Sequence, residues 1–310
     1  MTRTVDGILN LNKPKGWTSH DVVAHVRRLT RARKVGHAGT LDPMATGVLL
    51  VCLGRATRIT EYLMAGRKRY RADLRLGVST DTHDADGTVT ATAPVQVTRE
   101  QVEAGLSRFR GRIQQVPPMV SAIKRDGRPL YELARQGIVV EREARPVEVL
   151  ALTLEDWRPP DLTLEVSCSS GTYIRALARD LGQWLGCGAH LTALTRLASG
   201  DFSLSQAVPV EQFTAAVDAG QQDSANEARW THLVMPMDAG LQQFPAFVFK
   251  AEQSRRIRSG QALPAEAVGV REAEFCRAYA AHDGEKKLIA LLKFDPGAEA
   301  WQPHKVFHPL

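Results

Sequence analysis

The sequence predicts an α+β chain: a central mixed or largely antiparallel sheet flanked by helices, followed by a small β-rich C-terminal unit. Three observations carry this expectation. "RYRADLRLGV" alternates, with Tyr70, Ala72, Leu74 and Leu76 to one side and Arg71, Asp73 and Arg75 to the other, the period-two signature of a half-buried strand. "TSHDVVAHVRRLTR" sets Val22, Val23, Val26 and Leu29 at helical spacing, so the two periods mix without strict βαβ repetition. Beyond Pro236 to Gln243 the pattern turns to short strand-like runs. With 310 residues the chain has room for about two domains, placed here at 1–240 and 241–310.

In chain order, Thr18 or Ser19 caps the first helix and Asp21 suits its first turn. Arg27, Arg28 and Arg31 lie on its outer face. A glycine-punctuated loop, Gly36 to Gly47, leads into the short buried run Val48–Leu53, read as a strand. "ATRITEYLMAG" reads as a helix, and "TREQVEAGLSRFRG" as another whose Thr98 and Gln101 form a capping box. "RPLYELARQG" is a helix closed by Gly137. Strands follow in Val147–Leu154 and Leu162–Cys168, then "SSGTYIRALARDLGQWLG" turns at Gly171 into a helix. In the tail, "FPAFVFK", "FCRAYAAHDGEKKLIALLKF" and "HKVFHPL" read as strands, with Asp283-Gly284 as a hairpin turn.

Composition narrows the function classes. No run approaches the roughly 20 apolar residues of a membrane span, and "MTRTVDGILNLNKPKGW" lacks a signal-peptide core, so a cytoplasmic protein is expected. Cys52, Cys168, Cys187 and Cys276 lie far apart with no CxxC, which favours free thiols in a reducing compartment. Residues 1–75 hold 15 Lys/Arg against 5 Asp/Glu, although the whole chain nets only +6. The clusters Arg27/Arg28/Arg31/Arg33/Lys34 and Arg67/Lys68/Arg69/Arg71 fit a localised polyanion footprint, RNA or DNA; a solvated surface is the alternative.

The candidate chemistry centres on "GHAGTLDPMATG", which holds the single acid Asp42. The stretch lacks Gly-Lys-Ser/Thr and is no P-loop; no GxSxG elbow exists; Cys187 and His190 form a lone CxxH without a second pair. "DTHDADG" departs from a calcium loop at Thr82 and Ala93 and reads as a turn. No metal or other cofactor is expected. Asp42 followed by Pro43 is a common turn opening, yet glycines also let backbone approach a ligand, with Thr40 and Thr46 placed to orient the acid. Arg175 in "GTYIR" is a candidate partner for the carboxylate. Tyr70 is either a core tyrosine or a platform on which a base stacks.

"ILNLNKPKGWTSHDVV", "GHAGTLDPMATGVL", "KRYRADLRLG", "TDTHDADG", "VPPMVSAIK" and "CSSGTYIRALARDLG" together resemble, in order, the motifs of the bacterial tRNA pseudouridine-55 synthases, the TruB family. "VMPMD" and the β-rich tail are similar to that family's end and its PUA domain. The resemblance implies a pseudouridine-synthase fold and the isomerisation of a tRNA T-loop uridine, U55, flipped out of its stack. By position in the motifs it implies that Asp42 is the catalytic acid, that Tyr70 stacks on the base, that Arg175 pairs with Asp42 and that Asp84 is a further carboxylate. It places His37 in the space the base vacates, Tyr173 beside the substrate and Leu194 in the pocket wall. Lys13 is either structural or an RNA contact; Arg58, Lys68 and Arg69 contact backbone phosphates. The reaction imports no group and implies no cofactor. The partner is tRNA, held at its T arm and, through the C-terminal domain, at its acceptor stem, with no membrane and no protein partner inferred. A histidine in an exposed loop would also explain His37, a turn Asp would explain Asp84, and packing would explain Leu194.

Two rivals share these features. One is an RNA-binding folding factor whose catalysis is dispensable; the other is a hydrolase that flips the base and releases uracil.

Overall fold

The run Val48–Leu53 is apolar without alternation because core lies on both of its faces. Leu49, Val51 and Leu53 enter one apolar cluster and Val48, Leu50 and Cys52 the other. The computed structural model describes residues 5–121, 123–125, 127–138, 140–222, 230–268, 273–282 and 285–308. The expected Asp283-Gly284 turn lies outside these residues.

The chain begins with β1 (Gly7–Lys13), α1 (Ser19–Thr30), β2 (Val35–His37), β3 (Thr46–Leu53), α2 (Thr60–Ala65) and β4 (Lys68–Leu76). Then come β5 (Val78–Thr80), β6 (Val89–Thr92), α3 (Arg99–Arg108), β7 (Gly111–Gln115), β8 (Lys124–Arg125), β9 (Arg128–Pro129) and α4 (Leu130–Arg135). The long strands β10 (Arg145–Arg158) and β11 (Asp161–Cys168) precede α5 (Ile174–Trp184), β12 (Ala189–Ser199), β13 (Phe202–Ser203), β14 (Val208–Pro209) and α6 (Val210–Gln222). The remainder holds β15 (Ala246–Phe249), α7 (Ala251–Arg258), β16 (Leu263–Pro264), β17 (Phe275–His282), β18 (Glu285–Asp295) and β19 (Ala300–Val306).

The main sheet has ten strands in the path β14-β1-β3-β12-β4-β11-β10-β7, with β2 on β3 and β13 on β12. Its pairs are antiparallel except β1 with β14 and β3 with β12. Local chemistry starts the helices as expected. Thr18 caps α1 in a box with Asp21, and Thr98 caps α3 in a box with Gln101. Strand β12 was not anticipated, although it lies at the sheet's centre between β3 and β4.

One face of the sheet is covered by α1, α3, α5 and α6, through Val22, Val26, Val102, Leu106, Leu177, Leu181 and Phe213. The other carries Ile59, Leu63, Met237 and Leu241, and on them a second, five-stranded sheet, β15-β17-β18-β19-β16. Tyr279, Leu288, Leu291 and Phe307 of that sheet enter the same apolar cluster as Ile8 and Leu50. Polar contacts fix its orientation: Tyr279 Oη donates to Asp238 (2.6 Å), and Lys305 pairs with Glu61 (2.6 Å). This C-terminal part also contains the helix α7, which the strand-only reading had not anticipated.

Candidate active site

Asp42 sits in the loop between β2 and β3, and the fold fixes that loop one carbonyl at a time. Arg196 donates to the carbonyls of Gly39 (3.0 Å) and Thr40 (3.3 Å). Ser19 Oγ accepts from Leu41 N–H (2.8 Å) and donates to its carbonyl (3.2 Å). The Asp42 carbonyl accepts from Ala45 N–H (3.0 Å). Pro43's carbonyl accepts from Gly16 N–H (2.8 Å) and the Lys13 ammonium (3.3 Å). Each carbonyl from residue 39 to 43 therefore has a donor, which holds a loop rigid where buried backbone would otherwise be costly. Gly47 answers a different need. Its φ of +102° is left-handed, and a Cβ there would stand 2.3 Å from the Arg196 carbonyl.

The Asp42 side chain is one-third exposed (33%), whereas its partner Arg175 is 3% exposed. Arg175 is the second residue of α5. It donates to Asp42 through Nε (2.8 Å) and Nη2 (2.9 Å), a bidentate pair that fixes the carboxylate plane. The same guanidinium donates to the carbonyls of Val120 (2.8 Å) and Thr82 (3.2 Å) and lies 3.5 Å from Asp84. Asp84 is buried and is held by the Thr82 hydroxyl and by Asp86 N–H (3.2 Å). The start of α5 is itself set by Gln115, which accepts from Tyr173 N–H (2.8 Å) and donates to its carbonyl (3.0 Å).

Tyr70 is buried on β4, directly across from Arg196 on β12. Burial raises its phenol above the ordinary value, with the Arg196 guanidinium opposing. Tyr173 is half-buried, its phenol also raised by burial, and Ser121, Asp42 and Arg175 stand around it. Leu194 is buried two residues before Arg196 on β12, across from Ala72. His37 ends β2 and packs edge-on to His20 (ring centroids 5.3 Å apart). Burial, then the nearby His20 and Arg196 charges, lowers its imidazole to about 4. Its Nδ1 is enclosed without a hydrogen-bond partner. Among the described residues, no group of three or more His, Cys, Asp or Glu could hold a metal ion.

Several expectations need correction. Lys68 lies on the buried side of β4, and its ammonium donates to the carbonyls of Leu63, Met64 and Gly66 at the end of α2. Burial lowers it to about 8. Lys13 is fully buried, donates to the carbonyls of Pro14 and Trp17 as well as Pro43, and is likewise lowered to about 8 by burial, with Asp42 opposing. Lys68 is thus not placed to touch a phosphate, and Lys13 takes the structural one of its two expected roles. The expectation for Arg58 is not overturned: it stays exposed, with one guanidinium nitrogen donating to the Val306 carbonyl and the group lying over Phe307. Thr46 pairs with Thr195 (3.0 Å) instead of orienting Asp42, and Thr40 is exposed. Arg69 is half-exposed, in a loose pair with Glu165 (3.8 Å). The sequence did not single out Arg196 or Gln115 and read Ser19 only as an alternative helix cap; the partners of all three lie well away along the chain.

Residues 27–174 match the TruB family pseudouridylate synthase N-terminal domain, and residues 175–242 the tRNA pseudouridylate synthase B C-terminal domain. The chain belongs to the TruB family. It is 48% identical over 269 residues to the tRNA pseudouridine synthase B of Dechloromonas aromatica, covering 86% of this chain and 87% of that one. To the enzyme of that name from Ralstonia nicotianae it is 45% identical over 315 residues, covering 99% and 95%. Among solved structures, a chain of a Cbf5-Nop10-Gar1 complex superposes with a TM-score of 0.76 at 26% identity, covering 98% of this chain and 85% of that one.

Proposed function

We propose that the protein isomerises one uridine of the tRNA T loop, position 55, to pseudouridine. The C1′–N1 bond breaks, the base turns, and C1′ bonds to C5. The C5 proton passes to solvent and N1 takes one up, so atoms and electrons balance without a co-substrate. The observation that carries the reading is the bidentate Arg175–Asp42 pair, which presents one oriented carboxylate at a partly open surface. Asp42 attacks the sugar, attacks the base or removes a sugar proton; each route begins from the same carboxylate in the same place.

The supporting roles follow from position. Tyr70 stacks on the flipped base and its hydroxyl serves the C5 proton. Arg175 holds Asp42, and Asp84 holds the far side of Arg175. His37 fills the space the base vacates, Leu194 and Tyr173 wall the pocket, and Arg69 meets backbone phosphate. We place the domain division at 240/241. The second sheet is read as a PUA-like domain that touches the acceptor stem, and the cytoplasm as the compartment. No helix among the described residues is long and apolar enough to cross a membrane.

The test is to incubate unmodified tRNA with the protein, derivatise pseudouridine with carbodiimide and map primer-extension stops. One stop at the T-loop position, absent with Asp42→Asn, supports the reading; no stop from folded wild-type protein that binds the tRNA would sink it. The relatives are named for synthesis of pseudouridine, which does not favour the folding-factor alternative.

A further inference from the structure

The 15 Lys/Arg of residues 1–75 have distinct fates in the fold. Lys13 and Lys68 end inside, on carbonyls. Arg27 donates to the Val35 carbonyl (2.9 Å), and Arg28 meets His25 (2.9 Å). Arg69, Arg71 and Arg75 face Glu165, Asp73 and Asp161. Arg58 is bound to Val306. Lys15 and Arg67 are exposed without an ion pair among the described residues, and so are Arg31, Arg33 and Lys34, but only these last three cluster together. They crowd the turn that leaves α1, where Arg31 is left-handed (φ 54°).

These three line a cleft of about 510 Å³ whose other wall carries Arg55 and Arg58, with Trp230 beside them. The single acid in its lining, Asp6, is already engaged by Arg55, accepting from its N–H (2.6 Å) and facing its guanidinium (3.4 Å). The positive charge continues onto the second sheet. Arg55 contacts His308, and Arg258 and Lys287 stand near the same imidazole. Gathering this much like charge around a cleft costs self-repulsion, which a polyanion relieves.

The position of the cleft decides which part of a polyanion it meets. Gly54, at the cleft, and the Asp42 loop stand at opposite ends of β3, an eight-residue strand roughly 25 Å long. Even at the longer B-form step a five-base-pair stem spans about 17 Å along its axis, so a stem laid along β3 from Asp42 ends short of the cleft. We propose that this cleft, with the basic band beyond it, binds the phosphodiester backbone of the substrate tRNA outside the modified arm. The proposal rests on the tRNA reading above and assigns the cleft to affinity, not chemistry. Contacts of this kind hold the RNA in register without reading bases.

The test compares wild type with Arg31→Gln/Arg33→Gln/Lys34→Gln on full-length tRNA and on a hairpin of the T loop closed by five base pairs. A control removes the same charge at three exposed arginines elsewhere: Arg99, Arg112 and Arg158. The cleft variant should bind tRNA at least tenfold more weakly at physiological salt, with a binding-versus-salt slope shallower by about two and kcat within twofold. Its hairpin affinity should stay within twofold, and the control should match wild type on both RNAs. Unchanged tRNA affinity, an equal loss on the hairpin, or an equal loss in the control overturns the proposal. Failure of wild type to convert either RNA strikes the isomerase reading instead, and the binding comparison still decides the cleft.

Discussion

The two ends of β3 treat positive charge in opposite ways. At the Thr46 end, Arg175, Arg196 and Lys13 are buried, and each sends at least one donor to the 39–43 loop, to the Asp42 carboxylate or to a main-chain carbonyl, and its others to neighbouring segments. At the Gly54 end, Arg31, Arg33 and Lys34 are exposed around a cleft whose one acid is already engaged. The contrast separates two uses of the same residue types. A buried guanidinium without slack fixes geometry, whereas exposed cations set affinity and its dependence on salt. Arg175 and Arg196 differ in turn: one grips the carboxylate itself, the other the backbone that carries it.

The sharpest way to break this division is at Asp42. Asp42→Asn should lower turnover by about 10⁴-fold or more while tRNA binding stays within threefold, measured by single-turnover assay and filter binding. Arg175→Met comes next, since it leaves Asp42 and Asp84 without their shared cation. It should cost about 3–5 kcal/mol in urea unfolding, with turnover down about 10³-fold. Arg175→Lys should recover most of the stability and little of the turnover, because one ammonium does not reproduce a two-pronged grip.

Arg196→Met strips donors from the carbonyls of Gly39, Thr40 and Val48 and should cost about 2–4 kcal/mol. Its kcat should fall about 100-fold with KM nearly unchanged, the mark of a loosened loop and not of lost binding. An equal rise in KM would blur the line between the two ends of β3.

The smallest effect concerns acid. His37 is lowered to about 4 from its ordinary 6.5, so between those values the unfolded chain binds the extra proton. Stability is therefore intact above pH 6.5 and is lost as pH falls toward 4. His37→Gln should lose about 1 kcal/mol less than wild type between pH 7 and 4.5, after allowance for the ring's partial exposure. Identical acid unfolding curves would contradict the enclosed, neutral imidazole.

Local signals in the sequence proved reliable where partners are near along the chain. Thr98 with Gln101 started its helix as read, and of the two caps open for the first helix the structure uses Thr18, boxed with Asp21; such a box is complete within four residues. The alternation that set Tyr70 inward also placed Lys68 on the same side, so its burial was present in the phase of β4. Its membership in a basic cluster suggested a surface residue instead. The Asp42–Arg175 pair spans 133 positions; the need of the carboxylate for a cation made Arg175 a candidate, and the ordered motifs singled it out. Arg196 lay within reach of the same reasoning, two residues from Leu194, but its cross-strand partner Tyr70 is set by register across β12 and β4. Ser19, Gln115 and the cleft at Arg31–Lys34 depend on approaches between distant segments that no local pattern encodes.

Release of tritium from C5 is the readout of a loop that presents Asp42 for isomerisation of a flipped uridine. Unmodified tRNA labelled with tritium at C5 of its uridines, incubated with wild-type protein, should release the tritium of one T-loop uridine per tRNA to water, with no free uracil. Retention of all tritium on bound tRNA, or uracil among the products, would contradict the account.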